Sequence, residues 1–272
     1  MDHPLPSYVM PELQEVVDQF LIENPVLPLL EKQATLSRVY SECSQKRIIH
    51  FAAHAVLGDM KDPMKSAVVL ASEIDADGKI KEGYLSLETL LTHWADRLKG
   101  TDLVVLSCCQ TGRGVKLGDS LMGLPIGFFH AGARCIIASL WLVDDLATCL
   151  LMIRFYQNYL GCHENLSGQA ETQGREIWGQ PYLPGQSMPI THALAEAKSW
   201  LKTLDAREIN RFLSQHPLPE REQSQSSLPI GGNKKPQTTR LQDLLKDASR
   251  NKYPPFRHPR FWAAFIVIGD TD

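Results

Sequence analysis

No stretch of this chain approaches the roughly 18 consecutive apolar residues that a membrane span requires, so no membrane partner is expected. An excess of positive charge is missing too. Twenty-eight Lys and Arg stand against 31 Asp and Glu, a formal net charge of −3, whereas a nucleic-acid-binding domain carries a basic surplus. No nucleic acid partner is expected. None of the six cysteines forms a Cys-x-x-Cys pair, and the opening Met-Asp-His-Pro-Leu-Pro has neither the basic patch nor the apolar stretch of a secretory signal. Reduced thiols and a cytoplasmic location follow as expectations. A period near the ~34 residues of tetratricopeptide helices, or any other solenoid period, is also absent.

What the chain does have is alternation. Arg47–Ala52, Asp102–Ser107, Arg134–Leu140 and Trp262–Ile268 are short, nearly continuous apolar runs, the pattern of parallel strands covered on both faces. Val26–Leu30 reads as an edge strand, because Pro25 and Pro28 interrupt it. Val68–Ala71, the turn Asp75–Gly78 and Tyr84–Leu85 read as a small hairpin. Helical spacing recurs in Leu146, Leu150, Ile153 and Tyr156, and again in Leu194, Ala197, Leu201 and Leu204. Ser86–Leu98 reads as a further helix. Strands and helices in alternation predict an α/β sheet with right-handed crossovers.

The whole chain, 1–272, reads as one domain. Two polar stretches, about 162–189 and 214–239, are dense in Gly, Gln, Ser and Pro and are expected to be flexible insertions.

Chemistry concentrates at strand ends. Leu103-Val104-Val105-Leu106-Ser107-Cys108-Cys109-Gln110-Thr111-Gly112 carries a buried strand into a thiol and then a Gly-rich loop. In open α/β sheets ligands bind beyond the carboxyl ends of strands, where a nucleophile is useful. Period two puts Cys108 with Leu106 and Cys109 with Ser107, so one thiol packs and the other is available. His50-Phe51-Ala52-Ala53-His54 ends a neighbouring run. A thiol needs a base or cationic neighbour to act at neutral pH, and His54 is placed to supply it. His50, inside the run, reads as a hydrogen-bonded core histidine. A zinc site on the two is disfavoured for want of a third ligand, and no metal or other cofactor is expected. Gly118-Asp119-Ser120-Leu121 spells the GDSL esterase signature. However, no Asp in the chain has a His three residues on, and Asp119 or Ser120 reads as a helix cap instead. Asp144 and Asp145 lie just past the third strand end. One is expected to cap the next helix and the other to line a specificity pocket.

His50-Phe51-Ala52-Ala53-His54, Leu106-Ser107-Cys108-Cys109-Gln110-Thr111-Gly112, Ala131-Gly132-Ala133-Arg134, Ser139 to Thr148 and His258 to Asp270 occur in that order. Together they resemble the CHAT domain, a caspase-like and separase-like cysteine peptidase family often fused to tetratricopeptide repeats. The resemblance spans about Leu5 to Asp270. It implies a caspase-like three-layer sandwich with a mostly parallel central sheet and helices on both faces. It also implies a His54–Cys109 dyad, with backbone N–H groups of Cys109 and Ala55 as the oxyanion hole. The family often has Gly where Ala55 stands, so Ala55 is expected to adopt a Gly-like backbone conformation. Pro125 falls inside a family helix that normally has no proline, and would cost little only if it started that helix at the first position.

The activity implied is cysteine endopeptidase action on a protein substrate, with regulation by a partner or sensor module such as a tetratricopeptide array supplied in trans. A catalytically silent scaffold is the alternative. Asp144 and Asp145 imply cleavage after a basic residue, as in related separase-like enzymes. By family comparison the first strand of the sheet is missing. Met1–Tyr8 is too proline-rich to supply it, and the chain is expected to be part of a longer ancestor or to work with a partner chain. Val26–Leu30 would then pair with Arg47–Ala52 or leave an open edge.

Overall fold

A computed structural model describes residues 28–58, 62–109, 118–141, 143–162, 164, 170–216 and 237–271, with backbone alone for 109, 118–122, 237–242 and 251. In chain order the elements are α1 (Leu36–Glu42), β1 (Ile48–Val56), β2 (Ala67–Val69), β3 (Glu73–Ile74), β4 (Ile80–Lys81), β5 (Tyr84–Ser86) and α2 (Leu87–His93). They continue with β6 (Leu103–Cys109), α3 (Gly118–His130), β7 (Cys135–Ser139), α4 (Asp145–Leu160), β8 (Arg175–Ile177) and β9 (Gln180–Tyr182). The last are α5 (Ile190–Thr203), α6 (Ala206–Gln215), α7 (Gln237–Asn251) and β10 (Phe265–Gly269).

Six strands form the central sheet in the order β10-β7-β6-β1-β2-β5. At its heart β1, β6 and β7 run parallel, while β2 is antiparallel to β1, β5 to β2 and β10 to β7. Four of the six strands therefore share one direction. The apolar runs explain the arrangement, because their alternate residues bury against different helical layers. Ile49, Phe51, Val104, Leu106, Cys108, Ile136 and Ala138 pack with Val39 of α1, Leu87 and Leu90 of α2 and Phe128 of α3. Leu103, Val105, Cys135, Ile137 and Phe265 pack with α4, α5 and α6 on the other face. The result is the expected three-layer α/β sandwich, in keeping with a caspase-like fold.

Several expectations shift in detail. The first strand runs on to Val56, beyond the apolar run ending at Ala52. Parallel pairing with β6 holds Ala53 and His54 in the ladder although alanine and histidine are poor strand markers. The last strand begins only at Phe265, since Pro259–Phe261 form a 3-10 turn that also takes in Trp262, whose N–H reaches the Pro259 carbonyl. β2 and β5 join the main sheet, and the hairpin proper is β3–β4, closed by Asp75 Oδ1 accepting from the Asp77 and Lys79 N–H groups. α2 starts as expected, with the Ser86 hydroxyl accepting from Thr89 N–H at 3.0 Å, but stops at His93. Pro125 lies inside α3 rather than at its first position; it removes the N–H that would bond back to residue 121.

The proline-broken segment Val26–Leu30 shows no strand at residues 28–30, and residues 26 and 27 lie outside the described ones, as do Met1–Tyr8. The neighbour of β1 on the side away from β6 is β2, in register at Ala55↔Val68 and Val56↔Ala67. Within the polar stretch 162–189, β8 and β9 form a hairpin whose two-residue loop, Trp178 (φ 52°) and Gly179 (φ 79°), is left-handed throughout, the requirement of a tight hairpin turn. Composition does not announce it because its anchors are long-range. Arg175 bonds to Glu171, to Asn158 of α4 (2.6 Å) and to the Glu164 carbonyl, and Tyr182 hydrogen-bonds His192 of α5 (2.6 Å). Of the stretch 214–239, α6 covers the start and α7 the end, and residues 217–236 lie outside the described ones.

Candidate active site

The register of β1 against β6 sets the geometry of the site. Seven consecutive parallel pairs run from Ile48↔Leu103 to His54↔Cys109. Neighbouring strands are about 4.8 Å apart, so the backbones of His54 and Cys109 stand about that far from each other. Alternation then decides the face. On β6, Leu103 and Val105 belong to the layer under α4, and position 109 shares their parity. On β1, Ile49, Phe51 and Ala55 turn to the α2–α3 layer, leaving Ile48, His50, Ala52 and His54 on the α4 side. Positions 54 and 109 are thus brought together on one face at the carboxyl edge of the sheet.

Cys108 is on the other face. It is only 4% exposed, packed among the α2–α3 residues, with its Sγ 3.7 Å from the Phe51 carbonyl oxygen. It is a core thiol, as the alternation predicts. Two further cysteines are inert for a physical reason: burial pushes Cys43 up to about 12 and Cys135 up to about 11, so neither is a thiolate at neutral pH.

His50 is four residues, two periods of the alternation, deeper along β1. Its Nδ1 is 3.0 Å from the Tyr156 hydroxyl of α4, and the two rings pack with centroids 5.7 Å apart. It is hydrogen-bonded as expected, which leaves that nitrogen committed to Tyr156 rather than to a metal. Among the described residues no group of three His, Cys, Asp or Glu could hold a metal ion. Tyr156 counted in the sequence only as one residue of an apolar stripe. The signal that could have found it is the histidine inside a buried run, since a buried imidazole needs a polar partner.

The two carboxylates separate by role. Asp144 is the N-cap of α4: Oδ1 accepts from Ala147 N–H at 3.0 Å. Burial raises its pKa above the ordinary carboxyl value, against the opposing effect of that N–H bond and of Arg260. Asp145 opens the helix proper. It shares a stripe with Cys149, Met152 and Tyr156, at spacings of four, seven and eleven residues, one face of a helix. α4 begins beyond the carboxyl end of β7 and runs back over the sheet. Asp145 lies about 16.5 Å up the helix from Tyr156, and His54 lies about 13 Å up β1 from His50. Both lengths start from the His50–Tyr156 contact, so Asp145 and His54 stand at comparable distances from it along their own elements.

Two buried hydroxyls belong to these elements, one on β6 and one on α4. Ser107 Oγ, two residues before position 109 on the same face, and Thr148 Oγ1, in the first turn of α4, make no hydrogen bond among the described residues. Neither was singled out from sequence, where Ser and Thr are too common to signal anything. At the same edge Trp141 is held by its indole N–H donating to the Arg260 carbonyl at 3.1 Å. Ala55 is an ordinary strand residue in register with Val68 and does not adopt the left-handed conformation that glycine favours. The Gly-rich loop after β6 and the side chains of Asp119 and Ser120 lie outside the described residues.

Tetratricopeptide repeat protein 28 of Mus musculus is 29% identical over 156 residues, and its Homo sapiens counterpart is 30% identical over 156 residues. In each case the match covers 49% of this chain and 6% of the relative, so the chain spans a small fraction of the length of those proteins. The CHAT domain family model matches residues 5–270, nearly the full length, and the chain belongs to the CHAT domain family.

Proposed function

We propose that this chain is a cysteine endopeptidase in which Cys109 is the nucleophile and His54 its acid–base partner. The observation that carries the reading is the His54↔Cys109 register on adjacent parallel strands, with both positions on one face. In the first step His54 takes the thiol proton of Cys109, the sulfur attacks the scissile carbonyl carbon, and the carbonyl π electrons move to oxygen. Backbone N–H groups of Cys109 and Ala55 receive that oxyanion. The C–N bond breaks as His54 gives a proton to the leaving amine. His54 then takes a proton from water, whose oxygen attacks the acyl carbon and releases the thiol and the new carboxyl end.

The same reading assigns substrate preference. Asp144 caps α4, and we assign Asp145, at the start of the helix proper, as the acid that faces the substrate, with the hydroxyls of Ser107 and Thr148 as further acceptors. An arginine has five N–H donors in a fixed fork, and a partly dehydrated carboxylate with hydroxyl neighbours suits it. Cleavage after a basic residue follows. The two mammalian relatives are named for tetratricopeptide repeats, and a repeat array of that kind acting in trans is the regulator we propose, in the cytoplasm.

The test is labelling by peptidyl electrophiles together with hydrolysis of a peptide library. Wild type should be labelled at Cys109 and cleave after Arg or Lys, and Cys109→Ala and His54→Ala should do neither. An unlabelled wild-type protein, with a partner array added or not, would make the domain a silent scaffold.

A further inference from the structure

The site as read above depends on two layers, with the dyad on the sheet and Asp145 on the helix above it. Something must fix one against the other. The chain of contacts for doing so is short. His50 is on the dyad's own strand and face, four residues before His54, and its Nδ1 meets the Tyr156 hydroxyl at 3.0 Å. Tyr156 is on the stripe of α4 that ends in Asp145. A helix that slips by one residue past a sheet moves about 1.5 Å and turns each side chain by about 100°. Apolar neighbours on α4, such as Cys149 and Met152, hold the layers together through many small packing contacts spread over the whole face. A hydrogen bond between a ring nitrogen and a phenol adds a directional restraint at one point, since it fails within about 0.5 Å of displacement.

We propose that His50 and Tyr156 are the positioning pair of this site: their hydrogen bond locks α4 in register with β1, so that Asp145 stands over the dyad and selects a basic side chain. Neither residue touches substrate. The inference rests on the assignment of Asp145 as the selecting acid, and it deepens that assignment by naming what holds the acid in place. It also gives a role to the histidine of the first motif that the dyad leaves unused.

The experiment compares three rates of Cys109 modification, with iodoacetamide and with two peptidyl electrophiles that differ only in carrying Arg or norleucine at the residue before the reactive group. In wild type the Arg reagent should react faster than the norleucine reagent. Tyr156→Phe keeps the ring and removes only the hydroxyl. It should cut the Arg advantage about tenfold while iodoacetamide reacts within twofold of wild type. His50→Leu should do the same. His50→Asn, whose amide occupies the place of Nδ1, should restore most of the advantage. If Tyr156→Phe and His50→Leu keep the advantage, or slow all three reagents alike, the positioning role is wrong. A wild type with no Arg preference would overturn the Asp145 assignment instead. The pair is then judged by amide hydrogen exchange in residues 145–149: faster exchange in Tyr156→Phe upholds the register lock, and unchanged exchange refutes it.

Discussion

Cys108 and Cys109 are neighbours in sequence and belong to opposite faces of the sheet, Cys108 with its sulfur against the Phe51 carbonyl and position 109 on the side of α4. Adjacent thiols so placed should differ in every chemical test. A neutral alkylating reagent applied to the folded protein should modify Cys109 and leave Cys108 intact until the fold opens, as read by peptide mass mapping. Cys108→Ala should cost about 1 kcal/mol of stability from its lost packing and keep most activity. An inactive Cys108→Ala beside an active Cys109→Ala would reverse the assignment.

The carboxylates at the start of α4 should also part company. Asp144→Asn retains a good cap and removes a carboxyl that burial disfavours when charged, so it should be at least as stable as wild type at neutral pH. Asp144→Ala should lose about 1 kcal/mol through the cap. Neither should abolish a preference for basic residues, whereas Asp145→Asn should. Urea titration and a peptide library read the two properties independently.

A buried ionic cluster ties the β8–β9 hairpin to α4 and α5. Arg154 grips Glu196 with two N–H groups, at 3.0 and 2.7 Å, and reaches Glu171 with a third at 2.7 Å. Asn158 adds a bond to Glu196 at 2.6 Å. Removing one partner leaves a charge buried without its counterpart, so Glu196→Ala should destabilise by about 3–5 kcal/mol. Replacing Arg154 and Glu196 together with Met and Leu should restore much of that loss. Chemical denaturation of the single and double variants checks both.

The cluster also predicts an acid limit. Burial alone would raise the Glu171 carboxyl, but bonds and charge from Arg175 and Arg154 outweigh it and hold the group below its ordinary 4.5. The unfolded chain therefore takes up this proton first as pH falls. The stabilisation is complete above the ordinary value and is lost as pH drops through the lowered one. Glu171→Gln should be less stable than wild type at neutral pH, with the difference shrinking in acid. A difference that grows in acid would contradict the linkage.

The parts of the fold that read directly from sequence are those whose residues carry their own burial. Leu103 to Leu106 and Cys135 to Ala138 are buried on both faces, and such runs need no context to be recognised as interior strands. The apolar spacing of α4 is equally legible, and the structure closes it with Asp144 as N-cap and Gly161, left-handed, as C-cap. The end of β1 is not legible, since Ala53 and His54 become strand through pairing with β6, and Ala55 and Val56 through pairing with β2. The hairpin of Arg175 to Tyr182 was hidden for a related reason: its order comes from charges on α4 and α5, far away in sequence. In the candidate site the histidine and the cysteine were legible as strand-end residues, while Tyr156, Ser107 and Thr148 gain meaning only from what faces them.

The register that joins positions 54 and 109 spans 55 residues of chain. A ribosome adding about 5–20 residues per second needs roughly 3 to 11 s to travel that far. During that interval the histidine strand exists without the strand that carries the cysteine. Its long edge waits for a partner that is still being made, and closing so large a loop carries an entropic cost that only the completed pairing offsets. The two halves of the site are thus separated in time as well as in sequence, and the nascent chain passes through the tunnel exit before they can meet.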